Sequence, residues 1–224
     1  MIDFGKYKAA LIDMDGVLFD SMPWHTLAWE RMMKEAGVKC TRDEFYLYEG
    51  MTGRATIRMI FKREFGRDIS DREADGLYAV KTRYFKEFNR ETVMPHAQEV
   101  IAELGKKGLT RVLVTGSGQA SLLDKLEKHY PGVFVDGRRV TSNDVTHGKP
   151  HPEPYLLGAR LAGVSPGECL VIENAPLGVQ AGKAAGCTVV AITTGPIPEA
   201  EMRKAGADFV FPSMLAFLNA LKNE

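Results

Sequence analysis

The sequence predicts an α/β protein: a three-layer parallel sheet with helices on both faces, carrying a helical bundle inserted after its first strand. Three observations predict this. After about residue 95, short β-branched runs alternate with helical patterns, the alternation that builds a parallel sheet covered on both sides. Between Asp20 and about Val93, β-branched runs become scarce and long amphipathic stretches replace them. Ahead of both lies Ala9-Ala10-Leu11-Ile12-Asp13-Met14-Asp15-Gly16, an apolar run that ends in two carboxylates and a glycine.

The elements follow in chain order. A strand alternates its side chains, so Asp13 and Asp15 leave the same edge of the first strand together. Two like charges held that close cost stability unless a cation lies between them or one is protonated. Trp24 to Ala36, Ala55 to Phe65 and Asp71 to Phe88 then read as amphipathic helices. Because this insertion interrupts the sheet just after the first strand, its helices should hang over the end where the aspartates emerge and act as a lid. The expected division is a Rossmann-like core from residues 1–19 and 94–224 with a helical cap from residues 20–93. Within the core, Thr110 to Thr115, Cys169 to Glu173, Cys187 to Thr193 and Asp208 to Phe211 read as strands. Open parallel sheets gather functional groups at the carboxyl ends of their strands.

Composition narrows the function classes. The 224 residues suffice for a main domain and a smaller insertion. Lys plus Arg equals Asp plus Glu at 29 each, so no global field draws the chain to nucleic acid or to an anionic membrane. No apolar run approaches the roughly 18 residues of a membrane span. The chain enters strand-like sequence at once, without a secretory pattern. Cys40, Cys169 and Cys187 are odd in number and lack metal-ligand spacing, which fits reduced thiols in the cytoplasm. A monomer acting on a small molecule is expected.

Three further segments carry chemistry. Val114-Thr115-Gly116-Ser117-Gly118 ends a strand in a hydroxyl and small residues whose backbone N–H groups suit a phosphate oxygen. Gly148-Lys149-Pro150 holds a lysine in a proline-fixed turn just before a helix. Val171-Ile172-Glu173-Asn174 ends a strand in an acid and an amide, both able to give oxygen ligands to magnesium. Alone, each has a plain structural reading as a turn, a solvated charge or a loop cap; together, at strand ends and in this order, they point to phosphate chemistry. Gly116-Ser117-Gly118-Gln119-Ala120-Ser121 also imitates a dinucleotide-binding loop, with Asp136 near the acidic spacing, but the third glycine is absent.

Asp13-Met14-Asp15-Gly16-Val17, Thr115, Lys149 and Glu173-Asn174 resemble, in that order, the four motifs of the haloacid dehalogenase superfamily. The insertion after the first motif, with Gly148-Lys149-Pro150 and Ala181-Gly182, is similar to the subgroup of β-phosphoglucomutase and small-molecule phosphatases. The resemblance implies that Asp13 attacks phosphorus to give an aspartyl-phosphate and that Asp15 serves as acid and base. It implies a magnesium ion held by Asp13, the Asp15 backbone carbonyl and the fourth motif, Glu173 and Asn174. It also implies that Thr115 and Lys149, with Gly116 and Ser117, stabilise the transferring phosphoryl group.

Substrate choice should then reside in the cap. His25 follows Asp20 at a spacing similar to that of a mutase histidine that couples cap closure to acid–base alignment; a plain helix-face histidine fits as well. Arg54 and Lys81 could clamp a distal phosphate or be solvated helix charges, and Trp24, Trp29 and Phe85 read as cap interior. The chain departs from the mutase pattern at Asn174, where an aspartate is usual, and at Gly118-Gln119, where the mutase has lysine and asparagine. An amide binds magnesium more weakly than a carboxylate, so another acid is needed, and Glu49 before Gly50 is the candidate. Glu49, Tyr78, Lys81 and Asn174 look like a hydrolytic branch that includes inorganic pyrophosphatases. The expected activity is magnesium-dependent hydrolysis of a small phosphorylated substrate, with pyrophosphate favoured. The alternatives are a sugar-phosphate mutase and a phosphate-sensing protein without turnover.

Overall fold

Six strands form the centre of the chain: β1 (Ala9–Ile12), β2 (Thr110–Val114), β3 (Arg139–Val140), β4 (Cys169–Glu173), β5 (Thr188–Ile192) and β6 (Phe209–Phe211). In this computed structural model, which describes residues 2–118 and 121–223, they pair in parallel in the order β3-β2-β1-β4-β5-β6. The order runs outward from β1 in both directions. β1 therefore lies between β2 and β4, with Ile12 in register with Leu113 on one side and Ile172 on the other. Whatever follows these three strands is gathered at one sheet end, at the switch in strand order.

The helices of the core are α5 (Ala97–Lys106), α6 (Ser121–His129), α7 (Glu153–Ala162), α8 (Pro176–Ala184), α9 (Glu199–Lys204) and α10 (Met214–Lys222), numbered after four that precede them. Alternation along β1 sorts its side chains between two apolar layers. Ala10 and Ile12 join Val100, Leu104, Phe217 and Leu221 of α5 and α10. Ala9 and Leu11 join Tyr155 and Ala159 of α7 and Val179 of α8. All four β1 residues are fully buried, which is why the strand reads as a continuous apolar run rather than an alternating one. The three-layer parallel architecture is the one the sequence predicts. The two-residue β3 escapes sequence reading because a strand so short carries no periodicity.

The four preceding helices are α1 (Met22–Glu35), α2 (Glu44–Leu47), α3 (Gly53–Phe65) and α4 (Asp71–Phe88). They share an apolar cluster of their own, built on Met32, Met33, Phe45, Ile57, Ile60 and Phe61. Thr52 and Ser70 accept the N–H of Ala55 and Glu73, which starts α3 and α4 where the hydroxyls stand. α2 is a single turn, too short to show an amphipathic period. The two chain segments that join this bundle to the sheet run side by side: Asp20 N–H donates to Thr92 and Met94 N–H to Leu18, with a bridge between Phe19 and Val93. Among the described residues, no helix is long and apolar enough to cross a membrane.

The sheet core sets a stability prediction. Leu11 is fully buried between α7 and the sheet, so Leu11→Ala is expected to lower the unfolding free energy by about 2–5 kcal/mol, as read from urea denaturation.

Candidate active site

The ends of β1, β2 and β4 deliver Asp13, Thr115, Glu173 and Asn174 to one place, and the turn before α7 inserts Lys149 among them. The Lys149 ammonium donates to Asp13 Oδ1 at 2.5 Å, Glu173 Oε1 at 2.6 Å and the Val114 carbonyl at 3.1 Å. All three donor positions are therefore used. Burial opposes the ammonium, yet the Asp13 and Glu173 charges outweigh it and hold the group above its ordinary value. Burial likewise pushes the Asp13 carboxyl up to about 8, with the Lys149 charge opposing and the Glu173 and Asp15 charges adding to the rise.

Glu173 is a correction to the sequence reading, which made it a metal ligand. Its Oε1 accepts from Lys149 and from the Tyr155 hydroxyl at 2.7 Å, and its Oε2 from the N–H groups of Asn174 and Ala175 at 2.9 and 3.2 Å. Both oxygens are occupied, so the carboxylate anchors the lysine. A Cβ on Gly178, in the first turn of α8, would overlap this carboxylate. Tyr155 had no sequence signal, since an aromatic on an amphipathic helix reads as core.

Asp15 lies in a different environment. Its Oδ1 accepts from the Ser21 hydroxyl at 2.5 Å and meets His25 Nε2 at 3.2 Å. Burial disfavours the Asp15 charge, but His25, Ser21 and the nearby Lys125 charge outweigh it and hold the carboxyl below the usual range. His25 Nδ1 faces the Lys81 ammonium at 2.6 Å. As an ammonium Lys81 can only donate, so in that state Nδ1 is the accepting nitrogen and Nε2–H points to Asp15. Burial and the Lys81 charge push His25 down to about 4, so the link to Asp15 is a hydrogen bond from a neutral ring. Phe85 stacks on that ring at 3.8 Å between centroids, so it supports the site as well as the cap interior. Ser21 was missed because a serine just before a helix reads as an N-cap; its hydroxyl makes no cap bond here.

The cap contributes Glu49. Asn174 Nδ2 donates to both Glu49 oxygens at 3.1 Å, while Asn174 Oδ1 is buried without a hydrogen-bond partner. Burial raises the Glu49 carboxyl well above its ordinary value, and Asp13, Glu173 and Asp15 add to the rise. Two carboxylates whose charge burial opposes, Asp13 and Glu49, and an unpartnered amide oxygen are a donor set that a hard divalent cation would satisfy, so the residues fit magnesium. Gly16 (φ +83°) leaves the space that the Asn174 amide fills.

A cavity of about 70 Å³ opens between cap and core, lined by Asp13, Asp15, Thr115 and Ser117 of the core and by Trp29, Glu49, Tyr78 and Lys81 of the cap. The Thr115 hydroxyl oxygen accepts from Ser117 N–H at 3.1 Å, which leaves its own proton to donate. Lys81 is buried among the rings of Trp29, Phe85 and Tyr78, 5.1 to 5.9 Å from their centroids. Gly53 at the start of α3 leaves room for the Tyr78 ring, which a Cβ there would meet. Arg54, which the sequence leaves open between a phosphate clamp and a solvated helix charge, faces outward. It pairs with Asp75 at 2.5 and 2.7 Å on the exposed cap surface and does not line the cavity, because a helix turns its neighbour away from the face that Gly53 presents. Gln119, part of the altered phosphate loop, lies outside the described residues.

This fold and this end-of-sheet cluster of carboxylates around a lysine define a parallel α/β protein with its candidate active site at the switch in strand order. The chain belongs to the haloacid dehalogenase-like hydrolase family, whose model matches residues 7–186. It is 32% identical over 193 residues to hexitol phosphatase A of Escherichia coli, covering 84% of this chain and 83% of that one. Glycerol-1-phosphate phosphohydrolase 2 of Saccharomyces cerevisiae is 30% identical over 205 residues, with 84% and 76% covered. Among solved structures, a Bacteroides vulgatus protein provisionally assigned as a β-phosphoglucomutase is 44% identical, with a TM-score of 0.92 over 97% of this chain and 89% of that one. The chain is thus a hydrolase-family member with phosphatase relatives.

Two outcomes follow from the geometry. Gly178→Ala should displace the Glu173 carboxylate and lower phosphate release from an aryl phosphate by about 100-fold, the scale of losing one positioned electrostatic group, with the circular dichroism spectrum unchanged. Burial lowers Lys81 from 10.5 to about 7. Between those values the unfolded chain binds a proton that the folded chain does not, so this group adds stability as pH rises from about 7 towards 10.5. Lys81→Met removes that rise. Its stability relative to the unsubstituted protein should therefore be greatest at pH 6 and decline by pH 9, in urea titrations at both.

Proposed function

We propose that this chain is a magnesium-dependent phosphohydrolase working through an aspartyl-phosphate on Asp13, with inorganic pyrophosphate as the favoured substrate. The observation that carries the reading is the Glu49–Asn174 contact between cap and core: an acid from the cap supports an amide where the motif usually has a carboxylate. When bound, magnesium would be held by the Asp13 carboxylate, the Asp15 carbonyl, Asn174 Oδ1 and Glu49, and would offset the repulsion between phosphate and the anionic nucleophile.

The chain's own residues supply the rest. Lys149 orients Asp13 and, with the Thr115 hydroxyl and the Gly116 N–H, neutralises the transferring phosphoryl oxygens, while the Ser117 N–H holds the Thr115 oxygen. Asp13 attacks phosphorus and the bond to the leaving oxygen breaks. A phosphate leaving group is a much weaker base than an alkoxide and departs without a strong acid, which suits an Asp15 held ionised by Ser21 and His25. The same ionised Asp15 is ready to take a proton from the water that opens the aspartyl-phosphate. Lys81 at the cap side of the cavity would meet the second phosphate. The cavity volume of about 70 Å³ takes only a handful of water-sized groups, which favours pyrophosphate over a sugar bisphosphate. Residues 20–93 act as the cap, and Glu49 makes its closure part of the metal site. The three cysteines are free, in keeping with a reducing cytoplasm.

A sugar-phosphate mutase is the second reading, favoured by the His25–Lys81 contact and by the Bacteroides vulgatus relative, and opposed by the outward turn of Arg54. Phosphate release with magnesium from pyrophosphate, beside hexitol, glycerol and glucose phosphates, separates them, with Asp13→Asn as the blank. Preferential release from pyrophosphate, and a magnesium requirement raised about tenfold or more in Glu49→Gln, are expected. Glucose 6-phosphate formed from β-glucose 1-phosphate with a bisphosphate primer would favour the mutase.

A further inference from the structure

Outside the cavity, the turn that carries Lys149 bears a second group of ligating side chains. His147 Nδ1 lies 2.9 Å from Glu153 Oε2, and His151 Nδ1 lies 3.9 Å from the same oxygen. The two imidazole rings are 4.6 Å apart between centroids, and one ligand atom from each of the three residues falls within 4.8 Å of the others. We propose that His147, His151 and Glu153 form a metal site, separate from the active site, for a transition ion of the zinc class.

A tetrahedral ion about 2.0–2.1 Å from nitrogen and oxygen ligands holds those ligands about 3.3 Å apart. The two measured separations bracket that value, so small side-chain rotations close the site. Glu153 is already fixed for the purpose: its Oε1 accepts the Thr146 N–H at 2.7 Å and its Oε2 the His147 N–H at 3.0 Å. Such outer bonds orient a metal-binding carboxylate and leave it lone pairs to coordinate with. His151 Nδ1 accepts the Glu153 N–H at 3.2 Å, so its unprotonated nitrogen already faces the group, and the ion would replace that weak bond. With side chains 62%, 50% and 30% exposed, the site is open to solvent, which supplies the fourth ligand.

Donor chemistry separates this site from the one in the cavity. Two imidazoles and one carboxylate select zinc, cobalt, nickel or copper, whereas carboxylate, amide and carbonyl oxygens select magnesium. His147 and His151 also flank Gly148-Lys149-Pro150. An ion bound to both would cross-link the two ends of the turn from which Lys149 reaches Asp13.

The test is calorimetric titration of zinc chloride into the whole protein in saturating magnesium. One zinc per chain is expected, with affinity reduced tenfold or more in His147→Ala and in His151→Ala and retained in Asp13→Asn. Both histidines are half exposed or more, so the variants should keep the parent's melting temperature. Cobalt should give the intense visible bands of a tetrahedral complex in the parent and lose them in both histidine variants. Absence of zinc binding to the parent, equal affinity in the histidine variants, or loss of binding only in Asp13→Asn would overturn the proposal.

Discussion

One buried ammonium holds the centre of this molecule together. Asp13, Asp15, Glu49 and Glu173 converge at the end of the sheet, and burial makes each unpaired negative charge costly. Lys149 bonds two of them at once, Asp13 and Glu173, and the Val114 carbonyl besides. Its position decides what its neighbours can be. Gly178 must be small because the Glu173 carboxylate fills the space beside it, and Gly50 because the Lys149 stem does. Tyr155 must carry a hydroxyl within reach of Glu173. The remaining negative charge is left for a metal and for donors from the cap.

The cap answers that demand with polar contacts. Glu49 crosses to Asn174, and His25 crosses to Asp15 while taking a donor from Lys81 behind it. The two crossings do different chemistry. One brings a carboxylate beside the Asn174 amide; the other presents a fixed tautomer to Asp15, the proposed acid and base. Aromatic rings surround Lys81 and stack on His25, which shields this chain of contacts from solvent on the cap side. Electrostatics inside it act at short range and with little screening.

Within a family whose members use one core for many phosphorylated substrates, such differences in the cap are where selectivity is built. Replacing a motif aspartate by Asn174 removes one charge from the core, and Glu49 restores one from the cap. Under the proposed function, metal affinity and cap docking would be linked, because a ligand contributed by the cap is present only when the cap is docked. That arrangement suits a small substrate that touches little of the cap itself.

What the sequence by itself determined was the layer order and the chemistry at strand ends. The apolar run of β1, the β-branched runs of β2, β4 and β5, and the spacing of Asp13 and Asp15 are local signals, governed by side-chain alternation and hydrophobic period. They were legible because each lies within a few residues. The partners of those groups were not. Ser21 reads as a helix cap, Tyr155 as core, Glu173 as a metal ligand and Arg54 as either a phosphate clamp or a solvated charge, since a side chain's direction depends on packing between segments distant in sequence. Lys149 reaches Glu173 across 24 residues and Asn174 reaches Glu49 across 125. Only the tertiary structure could decide which carboxylates face the cavity and which hold the lysine, because burial and pairing, not sequence neighbourhood, set where a charge can rest.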